Sequence, residues 1–148
     1  MSSSEIAKEI FKCVELLNEK LERKDWLKSF RTRARQMPEL IFTRGLGYTL
    51  AYIASKSSAT YFEQAFMFSS CDDLVNRASQ LRVGDEEAGY TLYAWLLTLA
   101  LRGTGLVKAS RFSELLASAL ENPLLESTAF SIAEWIKRAA EAYIEERR

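Results

Sequence analysis

Apolar residues recur at intervals of three and four along most of the chain, which is the pattern of amphipathic α-helices. The first such stripe consists of Ile6, Ile10, Cys13, Val14, Leu17 and Leu21. Ser2 and Glu5 have the spacing of a capping box, so the first helix is expected to begin there. A second stripe runs from Leu27 to Met37, and Asp25 is predicted to cap its helix.

The middle of the chain contains positions where a helix is expected to bend or to pack closely. Proline is disfavoured inside a helix, so a kink or a boundary is predicted at Pro38. From residue 39 to about residue 56 the sequence is apolar on nearly every side, which predicts a central, buried helix. Gly45 and Gly47 lie inside this stretch and indicate that a neighbouring helix or backbone passes close by.

The second half continues as helices separated by short polar or glycine-containing segments. Helices are predicted over residues 59–81 with an interruption near Cys71, over Asp85–Arg102, over residues 110–121, and from about Ser127 onward. No segment shows sustained alternation of apolar and polar residues, so no sheet is predicted. The chain is therefore expected to be all-α: a compact, single-domain bundle of about six helices over residues 1–148.

The residue content offers little for catalysis or metal binding. The 148 residues include no histidine, which removes the commonest general base and the commonest metal ligand. There is no Cys-x-x-Cys pair, and the glycine pairs Gly45-x-Gly47 and Gly103-x-Gly105 lack the length and the lysine of a phosphate-binding loop. Carboxylates near predicted helix starts are explained by capping. We therefore expect no enzymatic activity, no metal and no other cofactor.

The cysteines and the N-terminus bear on the cellular compartment. Cys13 and Cys71 could form a disulfide, but secreted scaffolds usually have more cysteines at tighter spacing, so two reduced, partly buried thiols are the favoured interpretation. The N-terminus lacks the basic and apolar regions of a signal peptide, and no apolar run is long enough to cross a membrane. A cytoplasmic location is expected, with no membrane partner and no small-molecule substrate.

Basic residues are concentrated between Arg23 and Arg44 of a chain whose formal net charge is zero. This segment contains seven basic and two acidic residues, a net charge of +5. Lys24, Lys28, Arg31 and Arg35 follow one another at spacings of four, three and four. They should form one ridge along the second helix, over roughly 16 Å. The ridge suits phosphates of a nucleic-acid strand, although a solvated basic face or a salt-bridge surface for another subunit explains it as well.

Aromatic residues such as Tyr48, Tyr52 and Phe66 could supply stacking platforms for unpaired bases. Their spacing is that of a helix core, however, so packing is the better explanation for most of them. The aromatic residues therefore add little to the case for nucleic-acid binding.

Two stretches of the sequence resemble a known family. They are Arg33-Ala-Arg-Gln-Met-Pro-Glu-Leu-Ile-Phe-Thr-Arg-Gly-Leu-Gly-Tyr-Thr-Leu-Ala-Tyr-Ile and, near the C-terminus, Glu134-Trp-Ile-Lys-Arg-Ala-Ala-Glu-Ala. They resemble the small α-helical subunit of the type III-B CRISPR effector, the Cmr RNA-silencing complex. The sequence departs from the family pattern at Met37 and Ile136, where leucine is common, and at Ala139, where phenylalanine is common.

The resemblance implies a non-catalytic structural subunit of an antiviral ribonucleoprotein. Copies of such a subunit stack as an inner filament beside the backbone subunits that hold the guide RNA, and they line the groove for target RNA. The implied partners are other Cmr subunits, further copies of the chain, and guide or target RNA. Candidates for RNA or subunit contact are Lys24, Lys28, Arg31, Arg33, Arg35, Arg44, Lys137 and Arg138. Trp135 is predicted to be a core or interface anchor. The alternative is a helical protein–protein adaptor without nucleic-acid contact.

Overall fold

The computed structural model describes residues 1–145, which form helices and connecting segments and no strand. The α-helices are α1 (Ser3–Lys20), α2 (Lys24–Lys56), α3 (Ala59–Glu63), α4 (Cys71–Ala78), α5 (Asp85–Gly103), α6 (Phe112–Glu121) and α7 (Pro123–Tyr143). A 3-10 turn, Gln64–Met67, follows α3. The predicted all-α fold is confirmed, with seven α-helices in the described part of the chain where about six were expected.

Helix α5 lies at the centre of the bundle. Every residue from Ala88 to Thr98 is buried, because α2, α7, α1 and α4 all pack around it. A side chain on Gly89 would collide with the backbone of Ser29, which shows how closely α2 crosses α5 at this point. The prediction that the stretch from residue 39 to residue 56 is the central helix is therefore wrong, since Phe42 and Tyr48 of that stretch are exposed.

The first two helix starts differ in how well the sequence predicted them. The capping box of Ser2 and Glu5 is present at the start of α1. Helix α2 begins with Arg23 at its N-cap, so Asp25 lies in the first turn and the prediction that it caps the helix is wrong. A carboxylate in the first turn still interacts favourably with the helix dipole.

Helix α2 passes through Pro38 and breaks at Gly45. The predicted kink at Pro38 is therefore misplaced: proline costs one backbone hydrogen bond, but the buried ring stays inside a continuous helix. Gly45 has φ 89° and ψ 162°, a conformation that residues with a Cβ rarely adopt. Two helical segments, before and after Gly45, thus make up α2.

Helix α7 begins four residues earlier than predicted. Asn122 accepts a hydrogen bond from the backbone N–H of Leu124, and Pro123 occupies the first helical position, where its missing N–H costs nothing. Pro123 is therefore the first residue of α7. From the sequence, this proline was predicted only to end α6. Trp135, predicted as a core or interface anchor, is not in the core: it is 45% exposed and packs edge-on against Phe11 of α1.

The interpretation of the two cysteines as reduced thiols is also wrong. Cys13 of α1 and Cys71 of α4 form a disulfide, with Cα atoms 5.5 Å apart. The two residues are 58 positions apart in sequence, and packing of α1 against α4 brings them together. Cys13 is buried and Cys71 is half-buried. Spacing along the chain could not reveal this contact, because it depends on the tertiary arrangement of the helices.

Candidate nucleic-acid interface

The predicted ridge is present on the outward side of the first segment of α2. Lys24, Lys28 and Arg35 are exposed, and Arg31 is half-buried beside them. The opposite side of the helix carries Leu27, Phe30, Ala34 and Met37, all buried in the core. Because helical spacing keeps the four basic residues on one side, their charges lie together at the surface.

A carboxylate on α7 joins this ridge to the C-terminal basic motif. The Nε atom of Arg35 lies 3.1 Å from one carboxylate oxygen of Glu141, and a guanidinium nitrogen of Arg138 lies 3.1 Å from the other. The Glu141 side chain is 24% exposed, whereas those of Arg35 and Arg138 are at least half exposed. One negative charge is thus shared by two positive ones, so the pair of arginines keeps a net positive charge and free N–H donors.

We call the surface formed by Lys24, Lys28, Arg31, Arg35 and Arg138 the α2–α7 basic surface. It brings together two groups of candidates that are about 100 residues apart in the sequence. Lys137 precedes Arg138 by one position and therefore points about 100° away around the helix. It is half-buried and lies outside the pairing with Glu141.

Arg33 lies on the other side of α2, in a network with α5. Its guanidinium donates a hydrogen bond of 2.6 Å to the hydroxyl oxygen of Tyr90 and sits 4.6 Å from the centre of the Tyr90 ring. A carboxylate oxygen of Glu86 lies 4.0 Å away, and the Arg33 side chain is only 14% exposed. The Tyr90 hydroxyl is in turn 3.3 Å from that of Tyr52.

Burial raises the pKa of Tyr90, and its hydrogen bond with Tyr52 acts in the same direction. The Arg33 cation lowers the pKa of Tyr90 but does not offset these two effects, so the hydroxyl stays neutral: its oxygen can accept from Arg33 while its hydrogen remains available to Tyr52. Arg33 is therefore held by the fold, and its side chain is far less exposed than those of Arg35 and Arg138.

Arg44 lies at the end of the first segment of α2, just before the break. Its guanidinium sits 4.0 Å from the centre of the Tyr48 ring, which is close enough for a cation–π contact. Tyr48 is 42% exposed, so the expectation of core packing fails for this ring. The structure thus separates Arg44 from the ridge and pairs it with an aromatic residue at the surface.

Glu126 of α7 holds the break in α2. The backbone N–H of Leu46, the first residue after Gly45, donates a hydrogen bond of 3.0 Å to a carboxylate oxygen of Glu126. This carboxylate therefore caps the N-terminus of the second segment of α2. Sequence reasoning missed both Glu126 and Glu141, since each acts on a residue at least 80 positions away.

Three carboxylates have lowered pKa values because they accept hydrogen bonds at the starts of helices. Glu5, Asp73 and Glu114 each accept a hydrogen bond from the backbone N–H of a serine three or four residues earlier, and this bond is the main cause of the lowered pKa. Burial raises the pKa of Tyr93, which lies inside the core against Phe30. These shifts have structural causes, and none of the four groups lies on the α2–α7 basic surface.

Residues 1–145 contain no group of three or more cysteine, aspartate or glutamate side chains placed to hold a metal ion. Within the same residues, no helix is both long enough and apolar enough to cross a membrane.

Comparisons with solved structures find the same all-helical fold in other proteins. A chain of type III-B Cmr-beta bound to cognate target RNA and AMPPnP, solved by cryo-EM, is similar with a TM-score of 0.76 and 24% identity; the match covers 99% of this chain and 100% of that one. A chain of the type III-B Cmr-beta complex bound to non-cognate target RNA gives a TM-score of 0.75 and 25% identity, with 99% of each chain covered. No curated protein sequence matches the chain.

The described residues form an all-helical protein with a concentrated basic surface. The family model described as CRISPR-associated protein Cas_Cmr5 matches residues 2–143. The chain belongs to this family, and the resemblance predicted from two short stretches is confirmed over nearly the whole sequence.

Proposed function

We propose that the chain is a non-catalytic structural subunit of a type III-B CRISPR effector, the Cmr complex, and that it helps to hold target RNA through the α2–α7 basic surface. Membership of the Cas_Cmr5 family supports its place in such a complex, as does the likeness to chains of Cmr-beta complexes bound to target RNA. Its neighbours in the complex are other Cmr subunits and further copies of itself.

The proposed RNA contact rests on one observation: Arg35 and Arg138 both pair with Glu141. Through it, the ridge on α2 and the basic motif on α7 form one surface that keeps positive charge. Contacts of this kind recognise phosphates and carry no sequence information, which suits a subunit that must accept any target RNA.

Exposed apolar residues support contacts with neighbouring subunits. Phe42 is 78% exposed and packs against Phe130 with ring centres 6.0 Å apart, and Leu120 is 69% exposed where it covers Gly47. Both sites flank the break in α2. Such side chains are enriched in protein–protein interfaces, so this region contributes to assembly.

The test compares two charge reversals of equal size. Lys24→Glu with Lys28→Glu changes two exposed lysines of the basic surface, and Lys8→Glu with Lys12→Glu changes two exposed lysines at the same spacing on α1. Each double variant is reconstituted with the other Cmr subunits, and assembly and target-RNA affinity are measured. We expect both variants to assemble, and only the first to bind target RNA more weakly.

The salt dependence of binding provides the quantitative readout. Each lost phosphate contact on a single strand makes the negative slope of log affinity against log salt shallower by about 0.7, so the slope of the first variant should be shallower by up to about 1.4. Equal RNA binding by the two variants would refute the RNA contact. A complex that assembles through this surface with no RNA present would instead favour the protein–protein adaptor.

A further inference from the structure

A groove lies beside the basic surface, at the break in α2. It has a volume of about 480 Å³ and is lined by Arg35, Gln36, Met37, Glu39, Leu40, Thr43, Tyr48 and Tyr52. This volume is within the roughly 300–1,000 Å³ range of small-ligand sites. Arg35 belongs to both the groove and the basic surface, so a strand lying on that surface passes the mouth of the groove.

The wall of the groove after the break carries two tyrosine rings, each with a cation over it. Arg44, Tyr48, Tyr52 and Lys56 follow one another at spacings of four. Arg44 lies 4.0 Å from the centre of the Tyr48 ring, and Lys56 lies 5.6 Å from that of Tyr52. An exposed tyrosine backed by arginine is the arrangement on which unpaired bases stack in single-strand binders.

The two rings differ in their freedom to accept a base. Tyr52 is half-buried and packs edge-on against Tyr90, so little of its ring is open to a base. Tyr48 is 42% exposed, so part of its side chain is accessible to a ligand. Its exposed part is therefore the surface available for stacking.

The groove also carries polar groups suited to a base edge. Gln36, Glu39 and Thr43 line it, and together they offer amide, carboxylate and hydroxyl groups. The carboxylate of Glu39 can accept a hydrogen bond from a base amino group but would repel a phosphate. This chemistry places a base inside the groove and the phosphate outside it, towards Arg35.

We propose that the groove binds one unpaired nucleobase of a single-stranded RNA, stacked on Tyr48, while its flanking phosphate contacts Arg35. The proposal rests on the proposed RNA contact and adds a base-binding position to a surface that otherwise reads only phosphates. It predicts a contribution to affinity that does not depend on salt, since stacking releases no counterions.

The test uses the full chain at low ionic strength and two fluorescein-labelled probes of equal length. One probe is a single-stranded oligoadenylate RNA, and the other has the same sugar-phosphate backbone without bases. Tyr48→Ala should weaken binding of the oligoadenylate by about fivefold or more, because stacking contributes at least that factor per base. It should leave binding of the abasic probe unchanged. Tyr48→Phe, which keeps the ring, should bind both probes as the wild type does.

The outcomes separate this inference from the proposed function. If Tyr48→Ala binds the oligoadenylate as the wild type does, while Lys24→Glu with Lys28→Glu weakens both probes, the base site is refuted and the phosphate surface stands. If Tyr48→Ala keeps RNA binding but fails to assemble with the other subunits, the groove is a protein contact and the base site is refuted. A wild-type chain that binds neither probe contradicts both proposals.

Discussion

Arg33 and Arg35 are two residues apart on one helix, yet the fold gives them different surroundings. Arg33 faces α5, where its guanidinium contacts the hydroxyl and the ring of Tyr90 and its side chain is 14% exposed. Arg35 faces outward, where it shares Glu141 with Arg138 and its side chain is 50% exposed. The same residue type therefore stabilises the framework at one position and supplies surface charge at the other.

The comparison shows that positive charge alone does not define a candidate interface. The segment from Arg23 to Arg44 has a net charge of +5, but part of that charge is used inside the molecule. Changes to the framework should alter stability and leave RNA affinity per folded molecule unchanged. Changes to the basic surface should do the reverse.

Of the variants proposed here, the one that removes the disulfide should have the largest effect on stability. Cys13→Ala with Cys71→Ala opens a loop of 58 residues, and the chain-entropy model gives a loss of about 4 kcal/mol in the free energy of unfolding. Chemical denaturation measures this loss. Adding a reductant to the wild type should give a similar loss and should not affect the double variant. Equal stability of the oxidised and reduced wild type would show that this disulfide does not support the framework.

Arg33→Gln should have the next largest effect. It removes a hydrogen bond from a charged donor and a cation–π contact in a mostly buried network, so we expect a loss of about 2–3 kcal/mol in unfolding free energy. Arg35→Gln, the matched control, should lose less than about 1 kcal/mol because its ion pair is partly exposed. Thermal and chemical unfolding of both variants would show whether the comparison holds. Equal losses of unfolding free energy in the two variants would contradict the comparison.

Glu126→Ala tests the framework at a position that is exposed overall. Loss of its hydrogen bond to the N–H of Leu46 removes the cap of the second segment of α2 and should cost about 1–2 kcal/mol. Glu126→Gln keeps an acceptor oxygen and should lose less. Glu121→Ala changes another exposed glutamate nearby and provides the control. If the unfolding free energies of all three variants equal that of the wild type, Glu126 does not hold the break.

Local patterns predicted the helices well and their tertiary contacts poorly. The stripe in α1 and its capping box follow from residues within a few positions of each other, and both are found as predicted. The kink was predicted at Pro38 from a local rule. It lies at Gly45, because Glu126 from α7 satisfies the N–H group that a break exposes. The disulfide was missed for the same reason, since it depends on how α1 packs against α4.

In the candidate site, too, local spacing was predicted correctly and tertiary contacts were missed. Helical spacing was enough to place Lys24, Lys28, Arg31 and Arg35 on one ridge, and the structure has them there. It could not show that Arg138 joins them through Glu141, or that Arg33 is turned towards Tyr90. Both facts depend on which helices are neighbours, and a single sequence contains no direct record of that.

The most direct test of the account compares the salt dependence of RNA binding by Arg33→Gln and Arg35→Gln. The two variants have the same net charge and differ only in which side of α2 loses an arginine. We expect Arg35→Gln to make the negative slope of log affinity against log salt shallower by about 0.7, and Arg33→Gln to keep the wild-type slope when measured on folded protein. Equal slopes for the two variants, both shallower than that of the wild type, would show that overall charge and not the α2–α7 basic surface governs binding.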